Sequence, residues 1–107
     1  MPTYYKLIRD KIPEIIEASG KAFSTRILNQ EEYSIELKRK LLEEAKEYQE
    51  TSEDEYALEE LADILELVHA AAIIHNSDIN DLEKIRKAKC KKRGGFGDRI
   101  FLEKVED

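Results

Sequence analysis

The sequence predicts an all-α fold formed by one domain that spans residues 1–107. Glu, Lys, Leu, Ile and Ala dominate the composition, and these residues favour helices. Only four Gly and two Pro are present, which is little of the turn chemistry that a many-stranded β fold requires. A hydrophobic content of 41% is sufficient for a core and too high for a disordered chain. The length leaves room for a single domain.

The N-terminal region predicts an arm followed by a short helix. Residues 1–9 mix aromatic, basic and β-branched types without helical spacing, so we expect an extended or capping arm. Asp10 is the expected cap of a short helix with isoleucines at helical spacing, which Ser19–Gly20 ends. Pro13 is tolerated because it falls in the first turn of this helix.

Three further helices are predicted along the rest of the chain. The first major helix begins at Asn29 or Gln30 and continues to about residue 49, after a short link at 25–28. The capping and acidic residues 51–55 introduce a second helix that ends near His75. Residues 76–78 break it, and a third segment with one apolar stripe covers 79–92 before the glycines of the tail.

Composition also limits the protein's partners and location. The formal net charge of -6 argues against general electrostatic binding to nucleic acid or to an anionic membrane. The longest apolar stretches are shorter than the ~20 residues that span a bilayer, and no signal sequence opens the chain. We therefore expect a cytoplasmic protein. The single cysteine, Cys90, cannot form an internal disulfide and lacks zinc-site spacing.

A carboxylate falls on the apolar face of the first major helix. At ~100° per residue, Glu44 projects within an arc of apolar side chains. An unpaired charge there is costly, so Glu44 must meet a cation, a metal ion or water in a cleft. Glu47 lies one turn later and can address the same point, while Lys40 lies one turn earlier. The apolar arc consists of Tyr33, Leu37, Leu41, Ala45 and Tyr48, for which we expect core positions.

The second helix carries a similar acidic pair. Glu60 and Asp63 are three residues apart on a side that borders the apolar segment 67–74. If the two helices pack antiparallel through these faces, four carboxylates converge, and divalent cations must neutralise them. Oxygen ligands of this kind suit Mg²⁺ or Mn²⁺. Because the chain has 24 Asp and Glu, such spacings also arise by chance on solvated helix faces.

The order of these pairs resembles a known signature. Residues 40–47 read KLLEEAKE, and ELAD follows twelve residues later at 60–63. This arrangement resembles the ExxE and ExxD motifs of the MazG-like all-α nucleoside triphosphate pyrophosphohydrolases. The segments YYKLIRDKIPEIIEASGK and KKRGGFGDRIFLEKV are similar to a phosphoribosyl-ATP pyrophosphohydrolase-like subgroup, so the resemblance covers nearly the whole chain.

The resemblance implies a metal site and a reaction. The family's metal ligands fall on Glu44, Glu47, Glu60 and Asp63, which are expected to bind Mg²⁺ or Mn²⁺. The family reaction is hydrolysis of a nucleoside triphosphate to a monophosphate and pyrophosphate, by attack of water at the α-phosphorus. Glu44 and Glu47 are the candidate catalytic residues, and either is able to accept the proton of the water.

Basic residues provide the candidates for phosphate binding. These substrate-binding candidates are Lys40, Arg86, Lys89 and Arg93. Arg93 precedes two glycines, where the backbone can approach a ligand closely. Arg86 and Lys89 fit equally well as solvated residues near a helix C-terminus. A second basic cluster of Lys6, Arg9 and Lys11 either closes the site or pairs with surface acids.

Two alternatives and one assembly state complete the expectations. The first alternative is a phosphoribosyl-ATP pyrophosphohydrolase of histidine biosynthesis instead of a house-cleaning enzyme that acts on NTPs or dNTPs. The second is a non-catalytic helical module that binds nucleotides or a protein. Segment 67–74 is apolar nearly all round, which a few short helices cannot bury, so we expect a helical bundle completed as a homodimer or homotetramer.

Overall fold

The computed structural model describes residues 4–107 and contains four α-helices. They are α1 (Ile12–Ala18), α2 (Gln30–Glu50), α3 (Asp54–Ile74) and α4 (Ile79–Arg93). Within residues 4–107 the rest of the chain has neither helix nor strand, which confirms the all-α prediction. Residues 4–9 of the expected arm lack regular structure, and the first three residues lie outside the described part of the chain.

Helices α2 and α3 form an antiparallel hairpin that carries most of the packing. Only residues 51–53 join them, and so short a link favours antiparallel neighbours. Ile35 near the start of α2 and Ile74 at the end of α3 line the same cavity. Glu44 and Glu60, from the second half of α2 and the first half of α3, also meet. The hairpin therefore brings the two acidic pairs of the sequence to the same level.

The start of α2 is fixed by a capping box. The Asn29 side chain accepts a hydrogen bond from the Glu32 backbone N–H at 2.9 Å, and the Glu32 carboxylate accepts one from the Asn29 N–H at 3.3 Å. Two backbone donors at the helix end are thereby satisfied. Asp78 caps α4 similarly by accepting from the Asp81 N–H at 2.9 Å.

Two of the expected caps are not formed. Lys11 occupies the N-cap of α1 without a side-chain hydrogen bond, so Asp10 lies one position too early to cap it. Glu53 takes the N-cap of α3 and also makes no capping bond. Thr51 instead donates from its hydroxyl to the Glu47 carbonyl at 2.9 Å. Because the link has three residues, Thr51 ends the preceding helix rather than starting the next.

Helix α4 packs on α3 through its beginning alone. Ile79 and Leu82 are half-buried, whereas every residue from Lys84 onward is exposed. Helix α1 packs on none of the other described helices. Gly94 ends α4 with φ 84°, a conformation that glycine adopts without strain. The exposed tail follows without regular structure.

The single chain buries little of its apolar surface. Among residues 4–107, Leu37 and Ala72 are the hydrophobic residues that are buried, and neither is completely shielded from solvent. The accessible surface is 10216 Å², whereas a compact chain of this mass exposes about 6,200 Å². The radius of gyration is 18.2 Å, against about 13 Å for a compact domain of this length. Tyr48, expected in the core, is 40% exposed because it lies near the end of α2.

No helix within residues 4–107 combines the length and the apolar character that crossing a membrane requires.

Candidate metal centre

Three glutamates from the hairpin converge on one point. One carboxylate oxygen from each of Glu44, Glu47 and Glu60 lies within 4.8 Å of the other two. Glu44 and Glu47 share a side of α2 because they are three residues apart, and the antiparallel packing places Glu60 of α3 opposite them. The sequence patterns predicted this convergence for these three residues.

The cluster contains buried carboxylate oxygens without partners. Glu44 is 8% exposed, although it is charged. The Oε2 atoms of Glu44 and Glu60 are buried, and neither has a hydrogen-bond partner within the described chain. The cation closest to compensating them is Lys40, whose Nζ lies 3.9 Å from Glu44 Oε1, too far for a hydrogen bond. Leaving such oxygens unsatisfied is costly, so the arrangement calls for a cation or a proton.

The carboxyl groups of the cluster favour binding of a cation or a proton. Burial raises the pKa of Glu44, and the neighbouring carboxyl groups of Glu60 and Asp63 raise it further, partly opposed by Glu47. Burial and the adjacent Glu44 likewise raise the pKa of Glu47. Burial beside other carboxyl groups therefore makes ionisation of Glu44 and of Glu47 less favourable. A divalent cation would remove this penalty by neutralising two charges at once.

The donor set fits a hard divalent cation. Two oxygens bound to one Mg²⁺ at about 2.1 Å are separated by at most about 4.2 Å, and the three carboxylate oxygens already lie within 4.8 Å of one another. The three converging groups are all carboxylates, which suit Mg²⁺, Mn²⁺ or Ca²⁺ better than zinc. Glu47 is exposed, so the group is open to solvent on one side. An ion held there would be accessible from solvent.

The fourth predicted ligand, Asp63, has a different partner. Its Oδ1 accepts a hydrogen bond from Arg9 Nη2 of the N-terminal arm at 2.6 Å. Asp63 follows Glu60 by one turn of α3, yet it is not one of the three residues whose oxygens converge. The sequence left open whether Arg9 closes the site or pairs with an acid; in the structure it pairs with Asp63. The pair joins residues 54 positions apart, so no local pattern could have specified it.

The predicted phosphate-binding residues divide into two groups. Lys40 lies beside the cluster through its contact with Glu44. Arg86 hydrogen-bonds to the carboxylate of Glu83 within α4. Lys89 and Arg93 are exposed further along that helix. A single chain therefore brings Lys40 to the carboxylates but does not pack the three basic residues of α4 against them.

The N-terminal arm forms a cavity on the side of α2 next to Lys40. The cavity has a volume of about 240 Å³. Residues 4–7 of the arm form one wall, and Glu36, Arg39, Lys40 and Glu43 of α2 form the other. Lys6 lies over the Tyr4 ring, with Nζ 5.4 Å from the ring centroid. Lys40 therefore lines the cavity and also lies next to the carboxylate cluster.

Comparison with known proteins gives no assignment. No protein-family profile, no curated protein and no solved structure matches the chain.

Proposed function

We propose that this chain is a Mg²⁺- or Mn²⁺-dependent nucleoside triphosphate pyrophosphohydrolase. The observation that carries the proposal is the convergence of Glu44, Glu47 and Glu60, with buried, unpartnered oxygens on two of them. The resemblance to the MazG-like enzymes supports it, because the converging residues are those at which that family's ligands fall. The proposed reaction forms a nucleoside monophosphate and pyrophosphate.

The residues of the cluster suit the roles that this reaction requires. A divalent cation bound there supplies the positive charge that phosphate oxygens and a water nucleophile need. Water adds to the α-phosphorus, the bond to the bridging oxygen breaks, and that oxygen leaves as part of pyrophosphate. Glu47 is the exposed member of the group and has a raised pKa, so it is suited to accept the water proton. Glu44 is buried and is suited to act as a fixed ligand.

The proposed enzyme is an oligomer, since the single chain leaves too much apolar surface exposed. One stripe of α3, opposite the side that packs on α2, presents Leu58, Leu61, Leu65 and Ile73, which are 42–68% exposed. The excess surface is about 4,000 Å² per chain by the usual scaling. A standard interface removes only about 800 Å² per partner, so a large homodimer interface or a homotetramer is required.

The oligomer also offers a source for the missing cations. We infer that Arg93 and its neighbours on α4 serve the carboxylate cluster of a second copy, because within one chain they are exposed and away from it. Mixing Glu44→Gln and Arg93→Ala chains tests this arrangement. If the groups act across copies, random exchange at equal amounts restores about a quarter of the wild-type activity, since half of the dimers are mixed and each has one intact site. Absence of restoration with confirmed chain exchange contradicts it.

The direct test of the proposed reaction is pyrophosphate release. Wild type and Glu44→Gln are assayed with NTPs, dNTPs and phosphoribosyl-ATP, with Mg²⁺, with Mn²⁺ and with a chelator. The expected result is metal-dependent release by wild type that Glu44→Gln loses. Glu59→Gln is the matched control, because this exposed residue undergoes the same change in charge. Absence of release from every substrate overturns the enzymatic proposal, and preference for phosphoribosyl-ATP selects the biosynthetic alternative.

A further inference from the structure

The ion pair between Arg9 and Asp63 differs from every other ion pair of the described residues. The other pairs join residues three to six positions apart, within one helix or at its start. Arg9 and Asp63 are 54 positions apart and connect the N-terminal arm to α3. Helix α1 packs on no other described helix, and among the described residues this is the one ion pair that attaches the N-terminal segment to the hairpin.

The pair also lies at the edge of the carboxylate cluster. Asp63 follows Glu60 by one turn, and its negative charge acts on Glu44. Arg9 therefore already supplies one positive charge next to the group that requires cations. A divalent ion entering the group experiences repulsion from the guanidinium, and it competes with the guanidinium for the oxygens of Asp63. Both effects act in the same direction.

We propose that Arg9 is a resident counterion that a divalent cation displaces from Asp63, so that metal loading of the cluster releases the N-terminal arm. Arg9 is thereby a positioning residue: it determines whether Asp63 is free to join the three glutamates. The inference rests on the metal centre proposed above. The pair is partly solvated, with side chains 57% and 41% exposed, so it is weak enough for an ion to displace.

The cavity beside the arm gives this release a further consequence. Residues 4–7 form one wall, and Nζ of Lys40 on the opposite wall lies 3.9 Å from Glu44 Oε1. When Arg9 leaves Asp63, the arm loses its ion pair with α3, and the wall it forms is held less firmly. Binding of the metal ion therefore opens the side of the cluster next to Lys40, where a phosphate chain would approach.

The first test measures Mn²⁺ binding by calorimetry on the full chain. Arg9→Gln is expected to bind Mn²⁺ about two- to fivefold more tightly than wild type, as expected for loss of one partly exposed competing pair. Arg26→Gln is the matched control, since it makes the same change in net charge and breaks a pair with Glu32 away from the cluster. Equal or weaker Mn²⁺ binding by Arg9→Gln overturns the inference while leaving the metal centre intact. Absence of Mn²⁺ binding by wild type and variant alike overturns both proposals.

The second test measures release of the arm without using activity. Limited trypsin digestion of wild type compares cleavage after Lys6 in the arm with cleavage after Lys104 in the exposed tail. Mn²⁺ is expected to increase the ratio of the first to the second, because the arm is no longer held on α3. An unchanged ratio at a Mn²⁺ concentration that saturates the calorimetric site contradicts the coupling.

Discussion

Replacing Glu44 by Gln should have opposite effects on the stability of the protein without metal and with metal. In metal-free protein, Glu44 is a buried carboxylate beside two others. Gln keeps the size of the side chain and removes the charge, and its amide is able to donate to the unpartnered oxygen of Glu60. We therefore expect Glu44→Gln to be more stable than wild type in a chelator and less stable than wild type in saturating Mn²⁺.

The expected magnitudes follow from the geometry. Two charges no more than 4.8 Å apart repel each other by at least about 3.5 kcal/mol at an effective dielectric constant of about 20. Proton uptake already relieves part of this repulsion, since the pKa of Glu44 is raised by its burial and by the neighbouring carboxyl groups. The net gain is then about 1–2 kcal/mol, which raises the melting temperature by roughly 5–10 °C in a domain of this size. Wild type gains about 2.7 kcal/mol from a ligand at a hundred times its Kd, and the variant loses this gain.

Thermal unfolding in EDTA and in excess Mn²⁺, at one protein concentration, provides the measurement. Glu59→Gln is the control, because Glu59 is exposed beside Glu60 and its replacement should change stability by less than about 0.5 kcal/mol. If Glu44→Gln melted at a lower temperature than wild type in EDTA, Glu44 would stabilise the metal-free fold through Lys40. Its charge would then not be a cost that only a bound metal ion offsets. Equal Mn²⁺ stabilisation of variant and wild type would refute the reasoning as well.

Three further outcomes are expected. The pKa values of Glu44 and Glu47 are raised in the fold, so between their ordinary and raised pKa values the metal-free folded protein binds more protons than the unfolded chain. The melting temperature of the metal-free protein should therefore fall as the pH rises from about 4.5 through that window. A melting temperature that rises instead would contradict the assignment. Replacing both Leu58 and Leu65 by Ala should raise the dissociation constant of the oligomer by several hundredfold or more. Each leucine contributes about 1 kcal/mol to the binding free energy, and a dimer loses this contribution at both positions in both chains. Leu42→Ala, on a face of α2 shared with Lys38 and Lys46, should leave sedimentation unchanged, and a wild type that sediments as a monomer would exclude the interface. Asn29→Ala should destabilise the chain by about 1 kcal/mol in chelator and in Mn²⁺ alike, since the cap it removes lies outside the cluster, and a metal-dependent effect would contradict that separation.

Helix positions and the three converging glutamates were predictable because short-range rules specify them. The period of the apolar residues placed Glu44 on the core face of α2, and the three-residue link made the neighbour antiparallel. If the helices packed through their acidic faces, Glu60 was expected to meet Glu44 and Glu47, and it does. The capping signal at Asn29 was equally local, since its hydrogen-bond partner Glu32 lies within one turn of it.

The partner of Asp63 and the depth of the core could not be predicted in the same way. Whether Asp63 meets a metal ion or Arg9 depends on the path of an arm without regular structure, which no helical period describes. Asp10 looked like a cap because the residue type was right, yet the helix began one residue later than that cap requires. Tyr48 had the angular position of a core residue but lies beyond the part of α2 that the single chain covers.

Two unfavourable features of the single chain, uncompensated negative charge and exposed apolar surface, lie on different sides of α3. The side that faces α2 carries Glu60 and has excess negative charge, which only a cation or a proton relieves. The opposite stripe, with Leu58 and Leu65, has excess apolar surface, which a second copy would cover. Because the two sides are separate, metal and protein concentration should each stabilise the fold by mass action. The two contributions should add unless a basic residue of α4 from one copy reaches the carboxylates of the other, and departure from additivity therefore measures how far the site is shared between chains.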